Sequence, residues 1–197
     1  MFKKSMWIVL IFFFLSNQLF AQHSQRDKLM QPELIMDTIG VKEGMVIGEI
    51  GAGEGYFTFK LAARVGPEGK IYANDIKKSA LGRIQEKCED EKITNIEVII
   101  GETTDPLFPV NDLDMIVMMM VYHDLEDPYH LIQNTKKYLK PGAALVIIDR
   151  DPDRWQKGWD HFLKKETILD NMRKTDFVLD RVEDFLSIDN IFIYRKK

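Results

Sequence analysis

Three groups of residues in this chain have the types and the spacing for chemistry. The first is VIGEIGAGEGYFT, Val46 to Thr58, where Gly51, Gly53 and Gly55 stand between an apolar run and an amphipathic one, with Glu49 just ahead of them. Glycines at a strand-to-helix turn let backbone come close to a ligand. A dinucleotide fingerprint, G-x-G-x-x-G, would need glycine where this chain has Tyr56, and an acid such as Glu49 would repel a phosphate while favouring an ammonium. The spacing E-x-G-x-G-x-G therefore points to a ligand with a positive group and no phosphate. The second group is Asp75, closing IYANDI directly before a helical stretch. Its carboxylate can accept from two neighbouring donors or cap the helix that follows, and the two roles are compatible. The third is Tyr122, His123 and Asp124 after one apolar run, with Asp149, Arg150 and Asp151 after the next. His123 can take a proton near neutral pH, or it can simply bond to backbone or to Asp149.

These residues fall at the ends of a regular alternation. Short apolar runs at Val46–Ile50, Lys70–Ala73, Ile96–Ile100, Met115–Met120 and Ala143–Ile148 alternate with amphipathic stretches at Tyr56–Val65, Lys77–Lys92 and Pro128–Leu139. Such alternation predicts a parallel sheet with helices on both faces. Val46–Ile50 and Ala143–Ile148 lack polar alternation, as strands covered on both sides do. In LKPGAAL, Pro141 and Gly142 supply a turn between a helix and the next strand. The C-terminal part departs from the pattern: HFLKKETILDNMRKTDF reads as a helix, then FVLDRVEDFL and NIFIYRKK as strands joined through SIDN. So short a link forces the two strands antiparallel, because a parallel pair needs a long crossover. The expected fold is α/β: a single Rossmann-like, doubly wound, mostly parallel seven-stranded sheet ending in an antiparallel hairpin. Ligands of such sheets bind beyond the carboxyl ends of the strands, where all three groups lie.

With 197 residues, 45% of them hydrophobic, the chain has enough material for one α/β domain and too little for two. A net charge of −4 offers no basic surface, so no nucleic-acid partner is expected. Cys88 is the single cysteine, which excludes an intramolecular disulfide and a multi-cysteine metal cluster. The opening MFKKSMWIVLIFFFLSNQLFAQ places Lys3 and Lys4 before an apolar run, Met6 to Leu15, and a polar break. That run is shorter than the roughly 20 residues a spanning helix needs, and it has the form of a secretory signal ending near Ala21. Residues 1–21 are thus expected to be a signal peptide, or an uncleaved anchor and then the chain's one link to a membrane. Residues 22–45, with Leu29, Met30, Leu34, Ile35 and Met36 at helical spacing and Gly40 as the stop, form a helical lead-in to a domain over 46–197. The domain is expected to be exported and periplasmic.

The glycine loop with its acid resembles motif I of the class I S-adenosylmethionine-dependent methyltransferases. The likeness continues in order through IYANDI, GETTDPLFP, LDMIVMMMVYHDLEDP and LKPGAALVIIDRDP, from about Val46 to Arg150. The YHDL exit together with the N-terminal segment is similar to a set of exported predicted methyltransferases. The resemblance implies S-adenosylmethionine as cofactor. It implies that Glu49, Gly51, Ala52, Gly53 and Gly55 take the methionine part, that Asp75 and Ile76 hold the ribose, and that Glu102 and Thr103 meet the adenine. It implies a methyl acceptor near His123, Tyr122 and Asp149, with His123 as the candidate base. The absence of a long insertion suggests a small or exposed acceptor.

Each residue also has a plainer role open to it. Glu102 can be a solvated loop acid, and Met118–Met120 sheet core and pocket wall. Trp155 and Trp159, with Arg154, can line an acceptor pocket or pack a helix onto the sheet. Asp124, Asp149 and Asp151 offer hard oxygen ligands, but the Asp-Asn pair of the metal-dependent O-methyltransferases is missing after the fifth strand, so no metal is expected. S-adenosylmethionine is made in the cytoplasm, whereas the N-terminus points outside. An exported binding protein that keeps the fold without catalysis is therefore a second expectation. A nicotinamide oxidoreductase is disfavoured by the glycine spacing.

Overall fold

The computed structural model describes residues 25–154 and 161–196. The expectations for residues 1–21 and for Trp155 and Trp159 lie outside them. After a helical segment at 25–30 come α1 (Pro32–Ile39), β1 (Val46–Ile50), α2 (Thr58–Val65), β2 (Lys70–Asp75), α3 (Lys78–Glu91), β3 (Ile96–Ile100) and β4 (Leu113–Met119). Then follow α4 (Pro128–Thr135), β5 (Leu139–Arg150), α5 (Lys165–Arg173), β6 (Phe177–Glu183) and β7 (Asp189–Lys196). Among the described residues no helix is long and apolar enough to cross a membrane.

The strands form one sheet in the order β3-β2-β1-β4-β5-β7-β6. The first five are parallel, and β7 runs antiparallel to both β5 and β6. After β1 the chain winds outward through β2 and β3; after β4 it winds the other way through β5. Between the carboxyl ends of β1 and β4 the connections diverge and leave a crevice, the general ligand position of open α/β sheets. The alternation of side chains along β4 serves two buried layers. Met115, Val117 and Met119 pack with Ile35 and Met36 of α1 and Leu61 of α2, while Ile116 and Met118 pack with Ile132 of α4 and Ile168 of α5. From Met115 to Met119, where β4 is covered on both sides, every residue is apolar, and the one acid, Asp114, stands at the half-buried start of the strand.

Two expectations are corrected in detail. The Pro141–Gly142 turn is a break inside β5: Leu139 pairs with Leu113, Ala144 already pairs with Met115, and the residues between bulge, with Gly142 at φ 74°. The amphipathic stretch expected to run to Leu139 ends as α4 at Thr135 and tightens into a single 3-10 turn, Lys136–Tyr138. The terminal hairpin forms, and its second strand is the one inserted beside β5, which leaves β6 as the sheet edge.

The loop leaving β3 is held down onto β1. Asn74, buried at the end of β2, donates its amide to the carbonyls of Ile99 (3.2 Å) and Pro106 (2.8 Å). Phe108 lies so close over β1 that a Cβ on Gly48 would stand 2.7 Å from its ring and 3.0 Å from Leu113. Gly48→Ala is therefore expected to cost about 1–3 kcal/mol through overpacking. A urea melt of the two proteins measures it, and an unchanged midpoint would show that Phe108 moves aside freely.

Candidate active site

At the crevice two cavities meet, separated by Gly51 and Met120, which line both. One, about 460 Å³, is bounded by Asp75, Ile76, Glu102, Thr103, Val121 and Asp124, among others. The other, about 450 Å³, is bounded by Arg26, Glu49, Ala52, Gly53, Tyr56 and Met119 among others. Gly51 has φ 74°, and a Cβ there would lie 2.4 Å from a methyl of Val121, so both conformation and space demand glycine. Met120 also takes a left-handed conformation, φ 58°. For a methionine that is a strained backbone, of the kind held only where the surroundings over-determine it. Gly55 (φ 87°) is a different case: a Cβ there would meet the Phe59 ring at 2.5 Å, so this glycine serves packing of the loop on α2 and lines neither cavity.

Asp75 is engaged on both oxygens. Gly53 N–H donates to Oδ2 (2.9 Å) and Lys77 N–H donates to Oδ1 (2.8 Å), so one carboxylate ties the glycine loop to the start of α3. Each oxygen keeps a second lone pair toward the cavity that Asp75 lines. The helix-start role therefore leaves acceptor capacity for a ligand in the same side chain. Glu102 and Thr103 reach the same cavity on the loop that Asn74 secures. That loop is fixed further by Asp105, which accepts from the Tyr138 hydroxyl (2.6 Å) and Leu107 N–H (3.0 Å) and pairs with Lys137.

Glu49 differs from its expected state. It is 2% exposed and accepts from the Thr58 hydroxyl at 2.5 Å. Burial pushes its carboxyl up to about 8, against the lowering effect of the Thr58 hydrogen bond and with a further push from Asp75. A carboxyl raised this far favours its neutral form at pH 7. Arg26, on the helical segment before α1, was not identifiable from the sequence. Its guanidinium lies over the Tyr56 ring at 3.5 Å, and its neighbour Asp27 accepts from the Tyr56 hydroxyl (2.7 Å) and pairs with Lys60 (2.9 Å). These long-range contacts, with Met30 buried in the core, hold the segment of Arg26 beside the glycine loop.

The β4 exit is a 3-10 turn, Tyr122–Asp124, which sends its three side chains in different directions. Tyr122 turns inward. It is buried in the core layer with Leu131, Ile147 and Met172, its hydroxyl bonds Asn171, and burial pushes its pKa up to about 12. It does not line the cavity, which corrects its expected place beside the acceptor. His123 pairs with buried Asp149: Nδ1 lies 2.7 Å from Oδ1, and the His123 N–H donates to Oδ2 (3.0 Å). Asp149 also accepts from Arg150 N–H (2.8 Å), and it lines neither cavity. Asp151 accepts from Asp153 N–H and the Asn190 amide. The three acids considered as oxygen ligands are accordingly not brought together. Arg154 donates to the carbonyls of Asp184 and Leu186 and braces the β6–β7 link away from any acceptor. Asp124 faces the first cavity, with His123 Nε2 at 3.6 Å and His161 Nε2 at 3.1 Å. His161 is a further residue not foreseen.

Residues 41–192 match the family described as "Methyltransferase domain". The chain belongs to that family. It is 26% identical to a SAM-dependent methyltransferase from Aquifex aeolicus, with a TM-score of 0.82 over 87% of this chain and 93% of that one. A phosphoethanolamine N-methyltransferase of Haemonchus contortus, solved with S-adenosylhomocysteine, shares the fold at 16% identity and a TM-score of 0.69, over 84% of this chain and 52% of that one. Among curated proteins, the demethylmenaquinone methyltransferase of Geobacillus sp. (strain WCH70) is 25% identical over 126 residues, 64% of this chain and 54% of that one. The chain spans about half the length of the curated relatives it matches.

S-adenosylmethionine is the cofactor of this methyltransferase domain, and the donor set fits it. Asp75 offers acceptors for paired hydroxyls, and the second cavity joins a buried acid, Glu49, to a basic side chain, Arg26, as a zwitterionic amino-acid end requires. The state of Glu49 yields a prediction for the ligand-free chain. Its folded carboxyl is raised above its ordinary 4.5 to about 8. The folded chain therefore keeps a proton that the unfolded chain loses, and stability contributed at low pH is lost as pH rises between those values. The loss is up to about 1.4 kcal/mol per pH unit for one proton. Glu49→Gln should remove that slope, so the difference in unfolding free energy between variant and wild type should grow from pH 5 to pH 8. A constant difference across that range would mean that Glu49 is ionised in the fold.

Proposed function

We propose that the chain is a class I methyltransferase that moves the methyl group of S-adenosylmethionine to a small acceptor at the β4–β5 edge. The observation that carries the reading is the meeting of two cavities at Gly51 and Met120, with Asp75 and Asp124 lining one and Glu49 and Arg26 the other; the His123–Asp149 pair lines neither and is next in sequence and space to Asp124. When bound, the sulfonium supplies an electrophilic methyl group. The chain's own residues supply placement, the larger part of catalysis for such a reaction. Asp75 and Ile76 hold the ribose, and Glu102 and Thr103 border the adenine. Arg26 would pair with the carboxylate end of the methionine part, and Glu49, releasing its proton to solvent, would partner the ammonium. Asp149 engages Nδ1 of His123, which leaves Nε2, 3.6 Å from Asp124, as the nitrogen that takes the acceptor's proton.

Residues 1–21, basic and then apolar, support an exported domain, periplasmic after cleavage or tethered without it. That same segment favours the second reading, an exported binding protein that holds adenosyl compounds without turnover. Transfer of labelled methyl from S-adenosylmethionine to the small-molecule fraction of an extract separates the two. His123→Ala should leave cofactor affinity within about twofold and lower transfer by about 10²–10⁴-fold, the contribution of a positioned base. Equal rates would make His123 structural, and tight cofactor binding with no transfer by wild type would favour the binder.

A further inference from the structure

We propose that His123, Asp124 and His161 form a binding site for a first-row divalent cation of the zinc type, opening on the acceptor side of the first cavity. The three side chains offer ligand atoms that all lie within 4.8 Å of one another. Asp124 bridges the two imidazoles, with Oδ2 at 3.6 Å from His123 Nε2 and Oδ1 at 3.1 Å from His161 Nε2. Ligands at about 2.0–2.2 Å from a tetrahedral ion stand roughly 3.3 Å apart, so closing the site needs only small side-chain adjustments. The two imidazole rings cross nearly perpendicular, at 78° with centroids 4.9 Å apart, and can direct their lone pairs to one point without stacking.

The support behind the ligands distinguishes this cluster from a chance meeting of surface polar groups. His123 gives Nδ1 to Asp149, whose side chain is fully buried, at 2.7 Å. A carboxylate on the far nitrogen fixes the tautomer, presents Nε2 as a lone pair and raises its basicity; this is the recurring outer support of metal-bound histidines. Phe162 packs on the His123 ring at 4.3 Å and holds its plane. Asp124 and His161 are more than half exposed, which leaves a path of entry and room for a fourth ligand. Three protein ligands and one open position describe a catalytic rather than a structural site. Two imidazoles and one carboxylate select borderline ions over magnesium or calcium, which prefer all-oxygen shells.

This inference deepens the methyltransferase reading and rests on it for the position of the acceptor. A hydroxyl of the acceptor in the open position would lose its proton to water more readily, because a bound cation stabilises the oxyanion. His123 is then a ligand, whereas in the metal-free chain its Nε2 is the base. The test is a titration of chelator-treated full-length chain, free of any histidine tag, with cobalt(II), followed by visible absorption, and with zinc by calorimetry. One equivalent should bind. His161→Ala, at an exposed position where folding is not at risk, should weaken binding at least tenfold. Asp149→Asn, which touches no cation, should weaken it by about 10–100-fold. Absence of stoichiometric binding, or unchanged affinity in His161→Ala, overturns the site. Methyl transfer that persists with chelator and in His161→Ala would then leave the His123–Asp149 base reading standing. Cation binding without any methyl transfer would instead keep the site and remove the reading on which its role depends.

Discussion

The carboxylate of Asp75 is the joint on which the cofactor side of the domain depends. It is the last residue of β2, and its two oxygens take one N–H from the glycine loop after β1 and one from the start of α3. Two successive strand-to-helix turns are thereby locked to each other across neighbouring parallel strands. Without it, Gly53 and Lys77 would each keep a backbone donor with no internal partner, and the loop would lose the constraint that sets its distance from the second strand. The next turn is secured in a similar way one strand further on, where Asn74 takes hold of the Pro106 carbonyl. Adjacent residues at the end of one strand therefore position both walls of the first cavity.

Burial then sets what the chemistry can be. Glu49 sits on a strand covered on both faces, so its charge is costly until a cation arrives, and Thr58 alone does not offset that cost. Such a group discriminates among ligands, because one carrying an ammonium recovers the cost and a phosphate cannot. On the far side of Met120, Asp149 is buried and hydrogen-bonded three times over, and its orientation of His123 follows from that saturation. Each acid is the penultimate residue of its strand, β1 or β5, yet Glu49 has the Thr58 hydroxyl on its carboxyl whereas Asp149 accepts three N–H groups.

Much of this was legible in the sequence, for local reasons. The apolar runs without polar alternation announced strands covered on both faces. The glycine loop, Asp75 and the β4 exit were visible because their function depends on residues close together in the chain. The short SIDN link decided the antiparallel end. What escaped was tertiary. Arg26 reaches the glycine loop on a helical segment that Asp27, Tyr56, Lys60 and buried Met30 hold in place, and His161 meets Asp124 across 37 positions of sequence. The inward turn of Tyr122 follows from the 3-10 geometry after β4, since three consecutive side chains on a tight turn must diverge. The proline and glycine of LKPGAAL suggested a turn, and the sheet absorbed them as a bulge because Leu139 finds a partner in Leu113.

The central claim is that Asp75 serves the cofactor as well as the fold, and calorimetric titration of the full chain with S-adenosylhomocysteine tests it most directly. Wild type and Asp75→Ala would be compared at a temperature where both are shown to be folded. The account predicts binding weaker by about 1.5–3 kcal/mol in the variant, the scale of hydrogen bonds to a charged group. Equal affinity in a folded Asp75→Ala protein would contradict it, reducing Asp75 to a tie between two backbone turns.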